Sequence, residues 1–143
     1  MGLSDLTIVP ANVEQGAVTA GFAPVFQQIV LGETVAAITP VYYDIATQRY
    51  KAADCDDTSK YNVAGLCWNG GDDGDSDQML TSGEFTIGTT SFLTQFRTYV
   101  LSDTAGSIML ATDLSSGDRW VQLGHAITDQ RFRLDIKDFG TVA

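Results

Sequence analysis

The sequence predicts an all-β protein: a single small antiparallel β-barrel or β-sandwich domain with an extended N-terminal arm. Three observations carry that reading. The acidic residues are mostly Asp, while Glu and Lys are scarce; Asp favours turns, whereas Glu and Lys favour helix surfaces. Short alternating or β-branched segments recur between turn residues along most of the chain. The 143 residues are 44% hydrophobic and 18% charged. A chain of that length is one domain's worth and buries about two-thirds of its unfolded surface.

Residues 1–31 read as an N-terminal arm or first-strand region. Leu6, Ile8 and Val9 form a short strand stopped by Pro10. Gly16, Gly21 and Pro24 punctuate a loose stretch, and an apolar run resumes from Phe26 to Leu31. Residues 32–143 read as the β-rich domain. Residues 40–44 are extended, with Pro40 tolerated at a strand start. Adjacent Tyr42 and Tyr43 must then face opposite sides. A turn over 45–48 leads into a strand over 49–51. The stretch 54–61 reads as a helical turn, opened by its Asp-Asp-Thr-Ser run.

Strands follow over 63–68, 78–80 and 84–87, the last closed by Gly88. Two more, over 98–101 and 107–110, flank the turn at 102–106. Another turn at 115–118 precedes a strand over 120–127, with Val121, Leu123 and Ile127 on one face. Residues 128–130 connect it to the clearest strand, 131–137. There Phe132, Leu134 and Ile136 alternate with four charged residues, which predicts one buried and one wet face in a terminal hairpin.

The charge balance restricts function. Eight Lys and Arg against 18 Asp and Glu give a net charge of -10, so nucleic acid is not an expected partner. Apolar runs are too short for a membrane-spanning helix, and no membrane partner is expected. The N-terminus lacks the basic and apolar regions of a secretory signal. His125 is the single histidine, within an alternating strand rather than beside a nucleophile turn. No phosphate-cradling glycine loop is present, so no catalytic residue, cofactor or enzyme activity is expected.

Cys55 and Cys67 lack the paired ligands of a zinc site. Free thiols are expected, with a disulfide as the alternative, and Cys67 reads as a small core hydrophobe. The sharpest polar feature is Asn69-Gly70-Gly71-Asp72-Asp73-Gly74-Asp75-Ser76-Asp77. It fails as an EF-hand loop: with Gly74 in sixth place, Gly71 and Leu80 occupy positions that need carboxylates. A solvated loop without metal is expected, a calcium site of another kind being the alternative. Asp54, Asp56 and Asp57 form a second acidic group. The aromatic residues are expected mostly in the core, with one of Tyr42 and Tyr43 exposed.

Several segments occur in a telling order. Gly32-Glu33-Thr34-Val35 precedes Thr39-Pro40-Val41-Tyr42-Tyr43-Asp44, Ala46-Thr47 and Tyr50-Lys51-Ala52-Ala53-Asp54. Val63-Ala64-Gly65-Leu66, Asn69-Gly70-Gly71, Thr81-Ser82-Gly83 and Thr86-Ile87-Gly88 come next. Tyr99-Val100-Leu101-Ser102, Thr104-Ala105-Gly106-Ser107-Ile108, Ser116-Gly117-Asp118 and Leu123-Gly124 complete the set. This succession resembles the small structural proteins of tailed-phage head gene clusters, the capsid cement or decoration proteins.

The resemblance implies a β-rich fold without enzyme activity. It also implies binding to the outer surface of an assembled capsid, with the major capsid protein as partner and self-association as a trimer. Such a protein would be made in the host cytoplasm and reside on the virion. The candidate coat- or subunit-binding residues are Leu6, Ile8, Val9, Phe22 and Phe26 in the N-terminal region, where a strand can pair with a neighbour's sheet edge. A tail or fibre-attachment component and a carbohydrate-binding β-sandwich are the alternatives.

Overall fold

A computed structural model describes residues 16–17, 23–86 and 93–142. Its strands are β1 (Gly16–Ala17), β2 (Val25–Val30), β3 (Thr39–Asp44), β4 (Arg49–Ala52) and β5 (Val63–Cys67). They continue as β6 (Ser76–Thr86), β7 (Thr98–Leu101), β8 (Ile108–Leu110), β9 (Arg119–Ala126) and β10 (Arg131–Thr141). Among the described residues there is no α-helix, only a 3-10 turn at Ala111–Asp113. The strand order is β4-β3-β5-β6-β10-β9-β7-β8, with β1 and β2 also paired to β6. Every strand pairing is antiparallel, and the sheet curls into a half-barrel: the protein is all-β, as the composition and alternation predict.

Strand β6 joins the two halves of the sheet. The sequence predicts two short strands here, over 78–80 and 84–87 with Gly88 closing the second; the structure has one continuous strand over Ser76–Thr86, and Ile87 and Gly88 lie outside the described residues. Gly83 explains the difference. At φ +106° it bends the strand without ending it, and a Cβ there would press into the Ala23 carbonyl and Pro24 Cα. Before the bend β6 lies between β2 and β5; after it, β6 pairs with β1 and β10. At one end the curl nearly closes, because β2 reaches β4. Leu31 bridges Tyr50 there, and the Gly32 amide donates to the Tyr50 carbonyl at 2.8 Å.

Two cores follow from the period-two alternation. Val41 and Met79 face a small cluster inside the curl with Ile29, Leu31, Val35 and Cys67. Their neighbours Tyr42 and Leu80 face the larger cluster between the two halves of the sheet. An aromatic series crosses that larger core. Phe26, Trp68, Phe85, Phe132 and Tyr99 stand edge to face at centroid separations of 5.0, 5.3, 6.0 and 6.1 Å. Each fully buried side chain of this size contributes about 1.5–3 kcal/mol. Tyr42 is buried and Tyr43 is exposed, on opposite sides of β3 as expected.

Three further expectations need correction. In β9, Val121 and Leu123 are buried, but Ala126 takes the next core place and Ile127 is half-buried. The cause is a bulge: Tyr99 of β7 faces Gly124, whereas Val100 faces Gln122, so Leu123 is the extra residue. Gly124 permits it, since a Cβ there would overlap the Arg133 carbonyl.

The helical turn expected over 54–61 does not form. Asp54 accepts from the Asp56 amide at 3.1 Å, and Asp57 accepts from the Ser59 amide at 2.9 Å and hydroxyl at 2.7 Å. These side-chain bonds cap tight turns and compete with the helical backbone.

The third concerns β10. Phe132 and Leu134 are buried as predicted, Ile136 is only half-buried because the register with β9 shifts after Leu134, and the opposite face is not simply wet. Arg131 and Arg133 close over Glu84 of β6, which is 2% exposed, with ion-pair distances of 2.8 and 2.7 Å. The register that sets Phe132 beside Phe85 inside necessarily sets Arg133 beside Glu84 outside.

Candidate functional site

Of the candidate binding residues, Leu6, Ile8, Val9 and Phe22 lie outside the described residues. Phe26 is on β2, 38% exposed, its ring closing the outer end of the aromatic series against Trp68. It therefore has a packing role and an exposed flank together. Val25 and Val30 are also exposed, while Ile29 points into the small core. Gln27 and Gln28 complete the strand, and the Gln27 amide donates to the Tyr50 hydroxyl at 3.3 Å. Tyr50 in turn tilts against the exposed Tyr43 ring at 5.2 Å. Gln27, Tyr50 and Tyr43 therefore follow one another on one face, while Phe26, Gln28 and Val30 lie on the other face of β2. The sequence marked Phe26 to Leu31 as apolar; the alternation of exposure came only with the pairing to β6.

The other exposed aromatics are spread out. Trp120 and Phe139 pair at 5.0 Å on the β9–β10 hairpin, beside a two-point Arg119–Asp138 ion pair. Phe96 projects from a turn at φ +65°.

The acidic loop between β5 and β6 is sorted rather than uniformly solvated. Asp77 is buried and accepts from the Gly70 amide at 2.9 Å, the Asn69 side chain at 3.0 Å and the Gln78 amide at 2.8 Å. It also accepts from the Cys67 thiol at 2.7 Å. Asp75 accepts from the Asp72 amide, and Asp73 pairs with Arg49 at 2.9 Å on the surface. Asp72, Asp73 and Asp75 are exposed, as a solvated loop requires; Asp77 is the exception. Nothing in the spacing separates it from the others, since its role depends on where β5 ends. Among the described residues, no group of three or more His, Cys, Asp or Glu side chains is placed to hold a metal ion.

Cys55 and Cys67 are both free and buried. Burial, reinforced at Cys67 by the hydrogen bond to Asp77 and at Cys55 by the charge of Asp118, pushes both thiols up to about 12. Neither is a thiolate nucleophile near neutral pH. His125 sits in β9 between Thr98 of β7 and Arg133 of β10.

The second acidic group sets a pH dependence. Burial, and then the neighbouring Asp56 carboxyl, push Asp54 up to about 6 from 3.8. Glu84 and Asp138 go the other way: hydrogen bonds from Arg133 and Arg119 respectively hold them below the usual range. A raised carboxyl stabilises the fold below its unfolded value and loses that contribution as pH rises through about 6. A lowered one stabilises above its unfolded value and loses that as pH falls through its folded one. Maximum thermal stability is therefore expected near about pH 5. Asp54→Asn should flatten the rise between neutral pH and that maximum. A melting temperature that falls steadily from pH 7 to 5 would contradict this.

The chain matches no protein-family profile and no curated protein sequence.

Proposed function

We propose that this protein is a virion structural protein that binds the outer surface of an assembled tailed-phage capsid and stabilises it by bridging coat subunits. The observation that carries this reading is the ordered set of segments between Gly32 and Gly124 that resembles the capsid cement proteins. The all-β domain is compatible with it, and the segments Thr39–Asp44, Val63–Leu66 and Tyr99–Leu101 fall on β3, β5 and β7. A net charge of -10 suits an outer surface that must not capture DNA.

The mechanism is multivalent. A trimer presents three copies of one binding face around an axis, matching the local three-fold points of an icosahedral shell. Modest contacts to several coat subunits then add through effective concentration. The exposed flank of Phe26, with Leu6, Ile8, Val9 and Phe22 ahead of it, supplies the apolar contact, and the N-terminal segment adds a strand to a neighbour's sheet edge.

Deletion of residues 1–15 tests the role of that segment, because it stops short of β1 and leaves the β1–β6 pairing in place. The truncated protein should keep a cooperative melt yet co-sediment with empty shells at least about tenfold more weakly, a loss of about 1.4 kcal/mol. Unchanged sedimentation would remove the arm from the binding site. Loss of folding would assign it to the core instead.

A further inference from the structure

We propose that Asn69–Gly70 is a latent site of self-modification, the loss of ammonia from the Asn69 side chain, and that Asp77 is the residue that holds it shut. Asn12 and Asn62 each precede a valine, whose branched side chain crowds its own amide nitrogen. Asn69 precedes a glycine, which leaves that nitrogen open. In the reaction the Gly70 nitrogen gives up its proton and bonds to Asn69 Cγ. The Cγ–Nδ2 bond breaks, the Nδ2 nitrogen takes up the proton and leaves as ammonia, and a succinimide ring remains. Water then opens the ring at either carbonyl, leaving aspartate or isoaspartate at position 69.

The fold cannot avoid this vulnerable pair. Gly70 stands at φ +83°, and a Cβ there would press on the Val35 carbonyl oxygen at 2.7 Å and the Ala37 nitrogen at 2.8 Å. No side chain fits after Asn69. Burial does not protect the asparagine either, because Asn69 is exposed.

Hydrogen bonding protects it instead. One carboxylate, on a side chain 6% exposed, holds both groups that must meet. The Gly70 amide, the nucleophile, donates to Asp77 Oδ2 at 2.9 Å, and Asn69 Nδ2, the leaving group, donates to Asp77 Oδ1 at 3.0 Å. The Asn69 main-chain amide donates to the same group at 3.2 Å. Asp77 is itself fixed by the Gln78 amide and the Cys67 thiol. Its negative charge opposes loss of the Gly70 proton. The peptide beyond Gly70 is pinned as well, since Gly71 and Val35 exchange main-chain hydrogen bonds at 2.9 Å. Ring closure therefore waits for local opening of the loop, and its rate follows the population of the open form. The product sets a carboxyl group where Asp77 had a donor, so the modified loop loses the bond that closed it. The inference does not depend on the capsid reading and stands or falls separately from it.

Incubation of the full chain at neutral pH, with position 69 read by fragmentation mass spectrometry, tests it. The folded protein should lose ammonia at Asn69 at least about tenfold more slowly than the same chain in denaturant, the factor that one hydrogen bond to a charged group carries. Asp77→Ala should lose most of that protection. Phe85→Ala, which the packing predicts to cost at least as much stability, should keep it when both variants are held well below their melting transitions. Asp77→Asn, with one acceptor left and no charge, should react at a rate between those of the unmodified protein and Asp77→Ala, and it carries the comparison if Asp77→Ala does not fold. Asn62, followed by Val63, is the internal reference and should stay intact throughout. Equal rates at Asn69 in the folded and denatured chains would overturn the proposal. So would a loss of protection in Phe85→Ala as large as in Asp77→Ala, or Asp77→Asn reacting no faster than the unmodified protein.

Discussion

Replacing Asp77 with alanine is expected to destabilise the fold by about 3 kcal/mol, from a total of about 5–15 kcal/mol for a domain of this kind. The side chain is 6% exposed and gathers the Gly70 and Gln78 amides, the Asn69 side chain and the Cys67 thiol around one carboxyl group. Removing it leaves several donors without an acceptor, and each buried donor left unpaired costs about 1–3 kcal/mol. Water entering from the Asn69 side recovers part of that loss, which keeps the total near the lower end. The melting temperature should fall by about 10 °C. Asp77→Asn, which keeps one carbonyl acceptor, should lose less. Asp73→Ala, whose partner Arg49 is itself largely exposed, should change stability by less than about 0.5 kcal/mol. Equal effects at Asp73 and Asp77 would mean the loop is not organised around one carboxyl group.

Phe85→Ala should cost about 3–5 kcal/mol, the range for deleting a buried aromatic ring. Phe85 has no exposed surface and touches Trp68 on one side and Phe132 on the other, so it ties together the two halves that meet at β6. Its backbone is held between β1 and β10, which limits how far the cavity can collapse. Phe26→Ala, at the open end of the same aromatic series, should cost only about 1 kcal/mol because much of the ring already meets water. In the proposed function its larger effect falls on shell binding. Denaturant unfolding of the two variants separates these roles, and a loss below about 1 kcal/mol for Phe85→Ala would contradict the packing described here.

Parts of the fold were legible because they depend on local chemistry. The alternation over 131–137 fixes the strand and the burial of Phe132 and Leu134, and the adjacent tyrosines at 42 and 43 fix an inside and an outside. Features set by distant partners were not legible. Gly83 reads locally as a strand break, and only the approach of Ala23 and Pro24 shows that it is a bend. Gly124 reads as an ordinary strand glycine until the Arg133 carbonyl lies against it and shifts the face of everything after it. The turns at 54–61 did leave a signal, since Asp-x-Asp and Asp-x-Ser spacing favours side-chain caps over helix. At the candidate site, Phe26 was identified for its apolar character. Its exposed flank and its neighbours Val30 and Gln28 emerge only when β2 is laid against β6.

In the proposed function this chain decorates a capsid. Electron microscopy of otherwise identical particles, produced with and without the protein, tests it most directly. The reading predicts extra density on the outer face of the shell at junctions between coat subunits, grouped in threes, present only when the protein is made. Density confined to the tail or its attachment point, or particles that look the same in both preparations, would contradict it.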